Sequence, residues 1–172
     1  MAVAADYLGM SLRLSDLDRE NLEYFGHCAR HAFHLQQCEG CRLLRYPPTT
    51  ACPWCANPNA TWAPVAGAGT VHSYTEVHHA IQPQFKLFTP YLVLLVELDT
   101  QKGQPTEHEA IRVVGNLCTL DGKLAPPEQV SRVGIGTRMR MVFTDVTESL
   151  ALPQWAIDEN PAFGTRPWRY PE

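Results

Sequence analysis

Four cysteines are spaced to converge on one metal ion: Cys38-Glu-Gly-Cys41 and Cys52-Pro-Trp-Cys55, two C-x2-C pairs with ten residues between them. Each pair can offer two adjacent corners of a tetrahedron from a tight turn, and a single hairpin brings the pairs together. Four thiolates leave no open coordination position, so a zinc ion held this way supports structure and catalyses nothing. One structural Zn2+ per chain is the expectation. Iron in the same four-thiolate geometry and a metal-free redox pair are the chemical alternatives. Arg42 and Ala56 follow the second cysteine of each pair, a place where such turns commonly carry glycine. Cys28 and Cys118 stand alone and read as packing thiols, because no activating base adjoins either one in the sequence.

The remaining candidates are ligand or interface residues. His78 and His79 close an alternating stretch and open the loop 80–90, which carries Phe85, Lys86 and Phe88 and leads into Tyr91. Loops at the rim of a barrel often form its binding site. Lys86, Arg112, Arg138 and Arg140 are cations that suit phosphate oxygens. His27, His31 and His34 read as the polar face of a helix. The chain contains no G-x-S-x-G elbow, P-loop, G-x-G-x-x-G or H-E-x-x-H. A stand-alone thioesterase or hydratase would have to take its base from His78, His79 or Asp145, so catalysis by the isolated chain is not expected.

Holding these residues in place requires a folded frame. A chain of 172 residues can bury one ordinary domain or two small ones, and 45% hydrophobic with 19% charged residues is the composition of a folded chain. A net charge of -4 gives no positive field for a phosphate backbone, which disfavours nucleic acid as partner although barrels and zinc ribbons of this kind also occur in nucleic-acid binders. No apolar run approaches eighteen residues, and Asp6 breaks the start. A cytoplasmic location, away from membranes and with reduced thiols, is expected.

Ser15, followed by Asp16 and Asp18, predicts a helix N-cap, and Leu22, Phe25, Ala29 and Ala32 carry the apolar period to about Phe33. Residues 36–62 have paired cysteines, Pro47-Pro48 and Pro53, and no periodicity, so metal rather than apolar burial must hold them. Strands are predicted at 71–78, 91–98, 111–117 with Gly115 as a bend, 138–146 and 150–157, with a turn at Asp121-Gly122 and a short helix over 126–133. The predicted fold is mainly β: an N-terminal helical segment (1–35), a zinc ribbon (36–63), a five-stranded OB-fold barrel (64–157) and an extended tail (158–172). The tail, with Phe163, Trp168 and Tyr170, is expected to lie over the protein's own surface or to strap another subunit.

The order Leu-Gln-Gln-Cys38-x-x-Cys41, Arg45-Tyr46-Pro47-Pro48, Cys52-Pro53-x-Cys55, Gly69-Thr-Val-His-Ser-Tyr-Thr75 and Pro90-Tyr91-Leu-Val-Leu-Leu-Val-Glu97-Leu resembles the zinc-ribbon OB-fold family of acyl-CoA-associated proteins, first catalogued as domain of unknown function number 35. The resemblance runs from about Leu17 to Trp155. It implies a rubredoxin-like ribbon, a barrel with a channel suited to an acyl-CoA, and a non-catalytic role beside a thiolase, lipid-transfer-type, acyltransferase or enoyl-CoA hydratase partner, including steroid side-chain aldolases. The acidic-glycine-arginine turn usual after the second barrel strand is replaced here by Asp99-Thr-Gln-Lys102-Gly103.

Overall fold

A computed structural model describes residues 3–160 and 167–171. Before the first helix the chain already alternates: Val3, Ala5 and Tyr7 face one way in β1 (Val3–Tyr7), and Met10, Leu12 and Leu14 do so in β2 (Met10–Leu14). The two strands pair antiparallel around Leu8-Gly9, both at positive φ (52° and 81°), as a two-residue hairpin requires. The predicted helical start thus begins with a hairpin. Helix α1 (Arg19–Cys28) is capped one turn later than Ser15, by Asp18, whose carboxylate accepts from the Asn21 amide N–H (3.2 Å) and side chain (2.8 Å). It stops at Cys28 rather than Phe33, and His31 then takes a left-handed turn (φ 53°). Its buried face is Tyr24 and Cys28, with Leu22 and Phe25 only half-buried.

Strands β3 (His34–Cys38), β4 (Leu44–Arg45) and β5 (Ala60–Pro64) form a three-stranded antiparallel sheet in the order β4-β3-β5. Tyr24 joins α1 to this sheet through an aromatic cluster, its ring 5.2 to 6.5 Å from those of Phe25, Phe33, Tyr46 and Trp62.

The barrel comprises β6 (Ala68–Val77), β7 (Tyr91–Leu98), β8 (Arg112–Asn116), β9 (Arg138–Thr147) and β10 (Leu150–Ile157), with α2 (Pro127–Val130) between β8 and β9. Its order is β10-β9-β6-β7-β8, and a parallel bridge from Leu117 to Trp155 closes the ring. Strand β7 alternates strictly, with Leu92, Leu94, Val96 and Leu98 inward. They pack with Val113, Met139 and Trp155, whose indole N–H donates to the Val113 carbonyl (3.3 Å). Gly115 serves this packing: a Cβ there would lie 2.9 Å from Trp155 Cδ1. Gly122, in the predicted Asp121 turn, has φ 77° and would set a Cβ 2.3 Å from the Phe143 carbonyl oxygen.

The tail residues 167–171 lie on the barrel. Trp168 bridges to Ile135, while the Arg169 guanidinium donates to the Val130 carbonyl (2.8 Å), pairs with Glu76 and sits 5.5 Å over the Tyr74 ring. Phe163 falls outside the described residues. Among the described residues, no helix is long and apolar enough to cross a membrane.

Candidate metal centre and surrounding surface

Cys38 ends β3, the turn 39–43 leads back into β4, and Cys52 to Cys55 forms the second knuckle before β5. In each, the residue after the second cysteine donates its N–H to the first cysteine's carbonyl: Arg42 to Cys38 (3.0 Å) and Ala56 to Cys52 (2.9 Å). Both residues are left-handed, at φ 65° and 60°, so the knuckles need the conformation that glycine supplies most easily but build it from other residues.

The four Sγ atoms lie within 4.8 Å of one another, with Cys38–Cys55 at 3.5 Å and Cys41–Cys52 at 3.6 Å. A tetrahedron with Zn–S bonds of about 2.3 Å has edges of about 3.8 Å, so the cluster fits a zinc ion with small adjustment. The Gly40 N–H donates to Cys38 Sγ (3.3 Å), a contact that favours the thiolate. Cys38, Cys41, Cys52 and Cys55 together form a four-thiolate cluster able to hold one ion, with no place for substrate.

The departure in the loop after β7 has a structural use. Gln101, at φ 63°, brackets the Leu44 backbone: its carbonyl accepts from the Leu44 N–H (2.6 Å) and its amide donates to the Leu44 carbonyl (3.0 Å). One side chain thereby fastens the ribbon to the barrel.

The other sequence candidates fall in separate places. Phe85 is buried in a 3-10 segment, Pro83–Phe88, with its ring 5.3 Å from that of the half-buried Tyr91. Lys86 and His79 are exposed, and His78 lies 3.5 Å from the Glu76 carboxylate. Two of the arginines are engaged in ion pairs: Arg112 with Glu97 (3.1 Å), which also holds Lys102, and Arg138 with Asp99 (2.7 Å) and Thr70 (2.9 Å). Arg140 is exposed on β9. Thus Tyr91 packs beside Phe85, whereas Arg112 and Arg138 neutralise carboxylates at the end of β7.

Neither isolated thiol is poised for attack. Cys28 and Cys118 are fully buried, and burial pushes each thiol up to about 12. Sequence reasoning did not find the partner of Asp145, which is His31: Nε2 lies 2.7 Å from Asp145 Oδ1, and the ring stacks 5.2 Å from that of Phe143. The two residues are 114 positions apart, and no local pattern links them.

With ribbon and barrel in place, comparison with known proteins bears on most of the chain. The family profile described as the C-terminal OB-fold domain of ChsH2 matches residues 62–144. A solved structure, the Ltp2-ChsH2(DUF35) aldolase, contains a chain 28% identical to this one, superposing with a TM-score of 0.64 over 84% of this chain and 98% of the other. The chain belongs to the DUF35 OB-fold family. A curated relative of the DUF35 chain, the probable enoyl-CoA hydratase alpha subunit of Thermomonospora curvata, is 31% identical over 137 residues, which cover 80% of this chain. The DUF35 chain spans 37% of that relative's length.

Proposed function

We propose that the chain is an accessory, non-catalytic subunit that binds an acyl-CoA thioester together with a thiolase-type or lipid-transfer-type enzyme and helps shape the partner's site. The observation that carries this reading is the likeness, across most of both chains, to the DUF35 component of a two-part aldolase. The hydratase alpha subunit adds a second relative whose name is that of one component of a CoA-thioester enzyme.

The chemistry of the chain agrees with an accessory role. A closed four-thiolate site offers no Lewis-acid position, and both remaining thiols are buried and protonated at neutral pH. A rival reading, a stand-alone hydratase or thioesterase, would rest on the His31–Asp145 pair, which has hydrogen-bonding geometry but, among the described residues, no Ser, Thr or Cys hydrogen-bonded to it.

Co-expression with a thiolase-superfamily enzyme of the same genome tests the proposal. The expected result is a hetero-oligomer that survives gel filtration and binds a CoA thioester more tightly than either chain does alone. Elution of the two proteins as separate species at micromolar concentration contradicts it.

A further inference from the structure

Where the N-terminal hairpin meets the 3-10 segment, the surface carries apolar side chains that the monomer leaves in water. Phe85 turns inward, 6.3 Å from the Tyr7 ring and 5.3 Å from that of Tyr91, and anchors the segment. Gln84 ties it to the hairpin by donating to the Gly9 carbonyl (3.3 Å), and the Thr89 hydroxyl closes its end on the Lys86 carbonyl (3.0 Å). On this fixed support Ile81 and Leu87 are each 92% exposed, while Phe88 and Leu8 are each 37% exposed. Leu8 and Phe88 continue into a groove of about 550 Å3, whose other apolar walls include Tyr7, Leu124 and Val146. Clustered exposure of this kind marks an interaction surface, whereas single exposed aliphatics are ordinary.

The charges around the groove restrict what fits there. Asp6 from β1 and Asp145 from β9 line it, and Lys123, also lining it, is already paired with Asp121 (2.8 Å). His31 engages Asp145 through Oδ1, so among the described residues Oδ2 has no partner. An acidic rim repels phosphate, and a plain hydrocarbon would desolvate the carboxylates without pairing them. A polypeptide segment that brings an apolar side chain with a Lys or Arg beside it satisfies both parts of the groove.

We infer that this end of the molecule is the docking surface for the partner enzyme, which inserts an apolar anchor into the groove and sets a cation against Asp6 and Asp145. The inference rests on the accessory-subunit reading above and says where and by what chemistry the partner is held. Ile81 and Leu87 become buried in the complex, and His31 acts as a positioning residue that orients Asp145.

The test measures affinity between the chain and its co-expressed thiolase-type partner by calorimetry at two salt concentrations. Leu87→Asp and Ile81→Asp should each weaken binding about tenfold or more, since fully burying one such side chain is worth about that much or more. Asp145→Lys should weaken it comparably and remove most of its salt dependence. Leu17→Asp, at a residue 88% exposed before α1, should leave the affinity unchanged. The substituted side chains at 81 and 87 are almost wholly in water in the monomer, so thermal midpoints should hold and report intact folding. A benzophenone amino acid at position 87 should cross-link to the partner, and one at position 17 should not. Binding that survives all three substitutions within twofold of wild type, or a cross-link at 17 in place of 87, overturns the docking surface alone. Failure of the wild-type chain to bind overturns the accessory-subunit reading and this surface with it.

Discussion

Replacing Ala56 with glycine should stabilise the protein, although it removes a methyl group and loosens the unfolded chain. Ala56 sits at φ 60° after Cys55, where its N–H closes the second knuckle on the Cys52 carbonyl (2.9 Å). A left-handed residue other than glycine costs roughly 1–2 kcal/mol. The added freedom of glycine in the unfolded chain costs about 0.4–1 kcal/mol. The methyl is exposed, so little packing is lost, and the hydrogen bond is kept. The difference spans about 0–1.6 kcal/mol with a central value of about 0.8 kcal/mol, which for a chain of this size raises the melting midpoint by about 2–3 °C. Arg42→Gly relieves the same conformation at the first knuckle but also loses the 2.8 Å bond from Arg42 to the Gln37 side chain, so its gain should be smaller. Calorimetry of the zinc-loaded proteins measures both midpoints, and metal release to a chromogenic chelator reports on the knuckle itself. A midpoint for Ala56→Gly below that of wild type refutes the reasoning, because relief of the left-handed strain should at least offset the added freedom of the unfolded chain.

Metal analysis should find about one zinc per chain, and Cys38→Ser or Cys55→Ser should lose it along with folded yield, because the small ribbon has little apolar core of its own. An unchanged midpoint after chelation counts against this. Gln101→Ala removes both bonds that bracket Leu44 and should cost about 1–3 kcal/mol, with faster amide exchange in the ribbon than in the barrel; equal protection in both would contradict the bracket. For pH, the hydrogen bond from Arg138 holds the Asp99 carboxyl below its ordinary range. A depressed folded value gives stability that is present above the unfolded pKa of about 3.9 and lost as pH falls through the folded value. Wild type should therefore exceed Arg138→Met in urea midpoint at pH 6, by an amount that shrinks on acidification to pH 3; a widening gap reverses the sign and refutes the pairing.

The parts that were legible in the sequence are those whose signals are local. The C-x2-C pairs name their own ligands, and β7 reads directly from Tyr91–Leu98 because its run is apolar except at Glu97, with one face fully buried and the other partly so. The Asp121-Gly122 turn and the strands around it follow from conformational preference. The hairpin at 3–14 was legible in principle, since Met10, Leu12 and Leu14 alternate with Ser11 and Arg13 after a Leu-Gly turn, but the composition there is mild. Helix α1 starts after Asp18, not Ser15, and there the Asp18 carboxylate accepts from both the backbone and the side chain of Asn21, whereas Ser15 Oγ accepts only from the Leu17 N–H. What the sequence could not show depends on long-range contact. His31–Asp145, Gln101–Leu44 and Arg169–Glu76 join residues 57 to 114 positions apart, and only the complete fold brings them together. Other ion pairs of the fold decide which candidate cations are left for a ligand. Arg112 and Arg138 looked suited to phosphate in isolation, whereas in the fold they meet Glu97 and Asp99.

In the proposed role, the chain assists a partner's chemistry without performing it. The most direct measurement is steady-state turnover of a CoA thioester by the thiolase-type partner alone, by the zinc-loaded chain alone, and by the two together at concentrations above their Kd. Alignment of a bound thioester can lower a barrier by several kcal/mol, so the complex should exceed the partner alone by orders of magnitude, while the isolated chain should show no turnover above buffer. Full turnover by the isolated chain, abolished in Asp145→Asn or His31→Ala, would contradict the account.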